Sequence, residues 1–115
     1  MAEDDAKLVV DKRDAAWILG LHCEHDLSTR DKLTAQINAT PATTNLVIDL
    51  TQASFLDTTI ISIIYAARQR LHQAGHGLAV VAPPTSPARH TIDLVALAAV
   101  IPIYDDTEAA LRAVT

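Results

Sequence analysis

The chain lacks most marks of a secreted, membrane-bound or nucleotide-binding protein. Its single cysteine, Cys23, has no mate for an internal disulfide, which fits a reducing compartment. Three glycines in 115 residues leave no Gly-rich loop of the kind that cradles phosphate at a helix start. No apolar stretch approaches the roughly 18 to 20 residues of a membrane span. The N-terminal residues Met1-Ala2-Glu3-Asp4-Asp5 are acidic and lack the basic-then-apolar pattern of a secretory signal. Cations are in deficit. Lys plus Arg number 9 against 14 Asp plus Glu, a net charge of −5. Phosphate neutralisation needs surplus cations, so nucleic acids and anionic membrane surfaces are poor partners. Aromatic residues are 3% of the chain, too few for a platform that stacks single-stranded bases.

Aliphatic residues are what the chain has. Hydrophobic residues make up 50% of it, which excludes general disorder. The length suits one domain spanning 1–115, with a core from about residue 7 to about residue 114. The expected location is cytoplasmic.

Hydrophobic patterning predicts an α/β fold. Lys7 to Asp11 and Ala15 to Leu21 are short apolar runs with a short polar break, and read as a hairpin. Ser28 to Asn38 reads as a helix capped by Ser28 or Thr29, with Leu33 and Ile37 on its buried side. Asn45 to Leu50 is a strand apolar on both faces. Thr58 to Ala74 carries Ile60, Ile63, Ile64, Ala67 and Leu71 at helical spacing and is stopped by Gly75 and Gly77. Leu78 to Ala82 is a buried strand. Ser86-Pro87 offers a capping hydroxyl and an N1 proline for a helix running to about Ala98. Ile101 to Tyr104 is a short strand, and Glu108 to about Val114 a final helix. Alternation after the hairpin implies a mainly parallel sheet of about five strands, flanked by about four helices.

Three groups of residues could carry chemistry. Asp57-Thr58-Thr59 stands where the long helix begins. These residues can simply cap free backbone amides and complement the helix dipole. Alternatively, one hydroxyl accepts a phosphoryl group, which would meet the positive end of the dipole and free amide donors beside Asp57. His22-Cys23-Glu24-His25-Asp26 packs ligand-type side chains together. On a strand, though, alternate residues diverge, so no metal site is expected from it. His72 and His76 are separated by the helix-breaking Gly75 and do not pair. Ile61, Tyr65, Arg68 and His72 form a second helical stripe. Either Ile61 touches a neighbouring helix and Tyr65 is half-buried, or Ile61, Tyr65 and Arg68 anchor a protein partner from an exposed patch. No catalytic constellation stands out: there is no nucleophile elbow and no zinc-protease helix. A small metal- or ligand-binding enzyme is therefore disfavoured.

The order of these pieces resembles the STAS domain, the fold of anti-sigma factor antagonists. The resemblance runs through Leu46-Val47-Ile48-Asp49-Leu50, then Phe55-Leu56-Asp57-Thr58-Thr59, then an Ile-rich helix. Glu24-His25-Asp26 is similar to the family's acidic turn. Ser86-Pro87 with Ile92 and Leu97 looks like its third helix. Ile103-Tyr104 with Glu108-Ala109-Ala110-Leu111 looks like its last strand and C-terminal helix. The resemblance implies a non-enzymatic regulator that binds an anti-sigma factor kinase and releases the sigma factor. It places the phosphoacceptor at Thr58, with Thr59 beside it, Asp57 as the motif Asp and Asp26 as the nearby acidic residue. The kinase would bring ATP and Mg²⁺, so no cofactor is expected on this chain, and a phosphatase would reset the switch. The alternative is a constitutive STAS scaffold or assembly module in which Thr58 only caps the helix. Three residues replace family glycines. Cys23 stands before the acidic turn, Ala96 near the end of the third helix, and Ile60 after the hydroxyl pair. Ile60 is expected to cover the spot a partner backbone would approach.

Overall fold

A computed structural model of the chain describes residues 8–13, 15–25, 29–41 and 43–115. The opening runs form β1 (Leu8–Lys12) and β2 (Ala16–Leu21), paired antiparallel with Leu8 opposite Leu21 and Lys12 opposite Trp17. Their turn is closed by the Arg13 amide donating to the Ala16 carbonyl at 3.0 Å. β2, β4 (Asn45–Asp49), β6 (Leu78–Val81) and β7 (Ile103–Tyr104) are parallel, and the sheet order is β1-β2-β4-β6-β7. Between them lie α1 (Arg30–Ala39), α2 (Thr58–Gln73) and α3 (Pro87–Leu94), and α4 (Thr107–Val114) follows β7. The expected α/β architecture is thus the observed one.

The central strands are buried on both sides because Leu46 to Ile48 and Leu78 to Val81 are continuously apolar. Leu46 and Ile48 face a large core with Leu33 and Ile37 of α1, Ile60, Ile64 and Leu71 of α2, and Ile92 of α3. Val47, Ala79 and Val81 face a smaller core closed by Ala110, Leu111 and Val114 of α4. Each crossover moves one strand along the sheet in the same direction, so α1, α2 and α3 share a face and α4 covers the other. Fully burying one such Leu or Ile side chain stabilises by about 1.5–3 kcal/mol, so the first face dominates the stability.

Helix ends follow local chemistry. α2 closes at Ala74 with Gly75 at φ +85°. The Gly75 amide donates to the His72 carbonyl at 3.0 Å and the His76 amide to the Leu71 carbonyl at 2.9 Å. This paired pattern needs a left-handed residue, which glycine adopts without steric cost. Arg70 reaches across to the open end of α1 and donates to the Ile37 carbonyl at 2.8 Å. Two hydroxyls offered as caps do not serve as such. Thr29 occupies the α1 N-cap position without a side-chain cap bond, and Ser28 lies outside the described residues. The Ser86 hydroxyl turns back to donate to the Pro83 carbonyl at 2.7 Å, so Pro87 alone pre-sets the start of α3.

Four elements differ from the sequence expectation. Two short strands, β3 (Cys23–His25) and β5 (Ala53–Leu56), pair parallel in a separate two-stranded sheet. The third helix stops at Leu94 rather than near Ala98. Ala96 adopts φ 55° and breaks it, and a single 3-10 turn (Leu97–Ala99) follows. The last strand starts at Ile103, because Ile101 is drawn fully into the core. Ile61, at 7% exposure, joins the buried stripe of α2, while Ile63 is only half-buried at the α1 side.

Candidate functional site

α2 begins at Thr58 because Asp57 caps it. The Asp57 carboxylate Oδ1 accepts from the Thr59 amide at 2.9 Å and from the Ile60 amide at 3.3 Å. Thr58, one residue on, is exposed, and its hydroxyl has no hydrogen-bond partner among the described residues. Thr59 is half-buried. The capping expectation therefore holds for Asp57 and is corrected for Thr58, which is the first residue of the helix and not its cap. The expectation of free amide donors is corrected, since the Asp57 carboxylate already engages two amides of the first turn. A phosphate on Thr58 would stand beside that carboxylate and compete with it for those amides.

Ile60 also departs from expectation. It is fully buried among the α2 core residues. Its side chain leaves the surface at Thr58 uncovered, and the bulk of a β-branched residue is spent inside.

The proposed stripe splits in two. Thr58, Ile61, Ser62 and Tyr65 recur at helical spacing on one side of α2. Ile61 is the correction here: it is not an exposed anchor but part of the core. Its outer edge forms the floor of an open groove of about 290 Å³ between α2 and the segment after α3. Ser62, Tyr65, Val95, Ala96, Leu97 and Val100 complete the lining. Tyr65 is exposed, and its hydroxyl accepts from the Gln69 side chain at 2.8 Å. Arg68, half-buried one turn further on, makes no hydrogen bond or ion pair among the described residues.

Asp26 lies outside the described residues, as do the side chains of Glu24 and His25. Among the described residues no three His, Cys, Asp or Glu side chains gather as metal ligands. Residues 23–25 form a strand, as the divergence argument assumed, but not a continuation of β2. Cys23 has φ 64°, which turns the chain out of β2 and into the separate pairing with β5. His22 sits against Gly20 instead, with Nε2 3.4 Å from where a Cβ would stand.

The sequence reading missed several surface residues. Phe55 is 50% exposed on β5, three positions before Thr58. Leu94 is 73% exposed, and Val95 and Val100 are partly exposed around the groove. The left-handed turn at Ala96 ends the helix that was expected to run past Val95, and the signal available was an Ala standing where the family has Gly.

A five-stranded sheet with three helices on one face, and a capped hydroxyl pair opening the second of them, define the class. The STAS domain model matches residues 7–110, and the chain belongs to the STAS domain family. Among solved structures, an anti-sigma factor antagonist from Mycobacterium paratuberculosis is 30% identical with a TM-score of 0.81, covering 93% of this chain and 92% of that one. SpoIIAA of Bacillus in its phosphorylated form matches at 14% identity and TM-score 0.69, covering 92% and 98%. The STAS domain of a SulP transporter from Vibrio cholerae matches at 17% identity and TM-score 0.64, covering 90% and 82%. No curated protein sequence matches this chain.

Proposed function

We propose that this chain is an anti-sigma factor antagonist. It binds an anti-sigma factor of the serine/threonine kinase type, frees the sigma factor, and is switched off when that kinase phosphorylates Thr58. It acts in the cytoplasm by binding, not as an enzyme, and a cognate phosphatase resets it. The observation that carries this reading is the exposed, unbonded Thr58 hydroxyl at the first position of α2, directly after the capping Asp57. Its likeness to the mycobacterial antagonist over nearly the whole chain supports the same reading.

The mechanism follows from charge. A phosphothreonine adds about −1.5 to −2 charge at pH 7. Here that charge arises beside the Asp57 carboxylate, on a chain already at −5. With two first-turn amides already occupied by Asp57, the new charge is poorly neutralised within the chain. A partner surface complementary to neutral Thr58 is repelled or left with unpaired groups. The fold is spared, because Thr58 contributes nothing to the core.

The test is incubation of the chain with the anti-sigma kinases of its own host and ATP, followed by intact mass and site mapping. One added phosphoryl group on Thr58 is expected, and Thr59→Ala still accepts it. Thr58→Ala stays bound to the kinase, and Thr58→Glu binds weakly. Binding without any phosphoryl transfer refutes the switch and selects the constitutive module.

A further inference from the structure

We propose that the cleft between α1 and α2 binds a small amphipathic carboxylate, with one anionic head and a short apolar tail. Two helical stripes face each other there. Ile63, Ala66, Ala67 and Arg70 stand at i, i+3, i+4 and i+7 on α2. Thr34, Ile37 and Asn38 stand at i, i+3 and i+4 on α1. The alanines at the middle of the α2 stripe are too short to fill the seam, and the helices leave an open cleft of about 240 Å³. Its base is apolar, with Ile37 and Ala67 each 3% exposed and Ile63 half-buried.

The polar residues of the lining select the head group. Arg70 is half-buried and lines the cleft itself. Its two Nη atoms donate to the Ile37 and Thr40 carbonyls, which fixes the guanidinium in place. Those carbonyls leave its full charge without a carboxylate. Among the described residues Arg70 makes no ion pair, and its Nε has no hydrogen-bond partner. No Asp or Glu lines the cleft. The Thr34 hydroxyl and the Asn38 carboxamide, on the facing wall, also have no hydrogen-bond partner among the described residues. A held cation and a few unpaired polar groups over an apolar base orient a small anion. The net charge of −5 disfavours a multiply charged one.

Volume sets the tail. The cleft holds about eight times the roughly 30 Å³ that a water molecule takes up in the liquid, so about eight non-hydrogen atoms fit. Hexanoate has that size. Arg70 stands twelve residues along α2 from Thr58, about 18 Å at the helical rise. The cleft is therefore separate from the surface proposed for the anti-sigma factor, and a bound carboxylate joins α1 to α2 and stabilises the fold by mass action.

The test is a titration of the isotope-labelled chain with sodium hexanoate at constant ionic strength, up to about 10 mM, read by amide chemical shifts. Saturable shifts are expected at Thr34, Asn38, Ala66, Ala67 and Arg70, with a Kd of about 0.1–1 mM. Acetate, which lacks the tail, and hexan-1-ol, which lacks the charge, each bind at least about tenfold more weakly. Arg70→Gln weakens hexanoate at least about tenfold and leaves hexan-1-ol unchanged. Ala66→Leu fills the cleft from its exposed side, keeps Arg70 and abolishes binding with an unchanged circular dichroism spectrum. Shifts that do not saturate, shifts that map away from the cleft, or Ala66→Leu binding hexanoate as wild type does, each overturn the proposal. So does hexan-1-ol binding as tightly as hexanoate. No kinase enters the measurement, so its outcome is separate from that of the phosphorylation test.

Discussion

Replacing Ala96 with glycine should stabilise the protein, against the usual direction of such a change. Ala96 is held at φ 55°, ψ 37° between α3 and the 3-10 turn. A left-handed conformation costs an L-residue about 1–2 kcal/mol through the clash of Cβ with its carbonyl. Glycine removes that cost but gives the unfolded chain more freedom, which offsets about 0.4–1 kcal/mol. The Ala96 methyl is exposed, so little burial is lost. The net gain is about 0.5–1 kcal/mol. With an unfolding entropy of about 2.1 cal/mol/K per residue, the 115-residue chain loses or gains about 4 °C of Tm per kcal/mol. Ala96→Gly should therefore raise Tm by about 2–4 °C. Urea melts followed by far-UV circular dichroism read the same gain as a higher midpoint at constant slope. Ala66→Gly, on the exposed side of α2, is the control and should cost about 0.5–1 kcal/mol. If Ala96→Gly melts below wild type, as the control does, the strain reasoning is wrong.

Cys23→Gly should give a gain of similar size in the same melts, since Cys23 is exposed at φ 64°. Gly75→Ala should do the reverse, losing about 1 kcal/mol at φ +85°. Asp57→Ala removes the α2 cap and should cost about 1 kcal/mol by urea denaturation while the folded spectrum is retained. Ile61→Ala should cost about 2–4 kcal/mol, as a core deletion does. A loss under about 0.5 kcal/mol, the level of a surface change, would return Ile61 to the surface.

Most of the architecture was legible because burial and periodicity coincide. Leu46 to Ile48 and Leu78 to Ala82 are continuous apolar runs of strand length, the pattern of a strand covered on both faces. Gly75 marked the end of α2 because its φ admits little else. Two of the failures come from backbone conformations written by an unsuitable residue. At Cys23 and Ala96 the left-handed turn has no glycine to announce it, so β3 and the end of α3 were not visible. Asp57 and Thr58 were legible as a cap and an exposed hydroxyl, from the residue order alone. Ile61 was misplaced because the two sides of α2 pack differently. One side meets α1 through the half-buried Ile63, and the other closes against Leu97 and Val100. Helical spacing alone does not say which neighbour comes nearer.

The sheet order β1-β2-β4-β6-β7 has a kinetic consequence. Every parallel pair in it joins strands separated by a single crossover, so no pairing waits for a distant part of the chain. Loop closure is then the dominant entropic barrier at each step, and it is nearly the same at each step. The unit β4–α2–β6 has both strands buried, so it should be the last part of the sheet to open. Amide hydrogens of β1 and of the two-residue β7, at the sheet's edges, should exchange first, and those of Leu46 to Ile48 should exchange only when the whole domain unfolds.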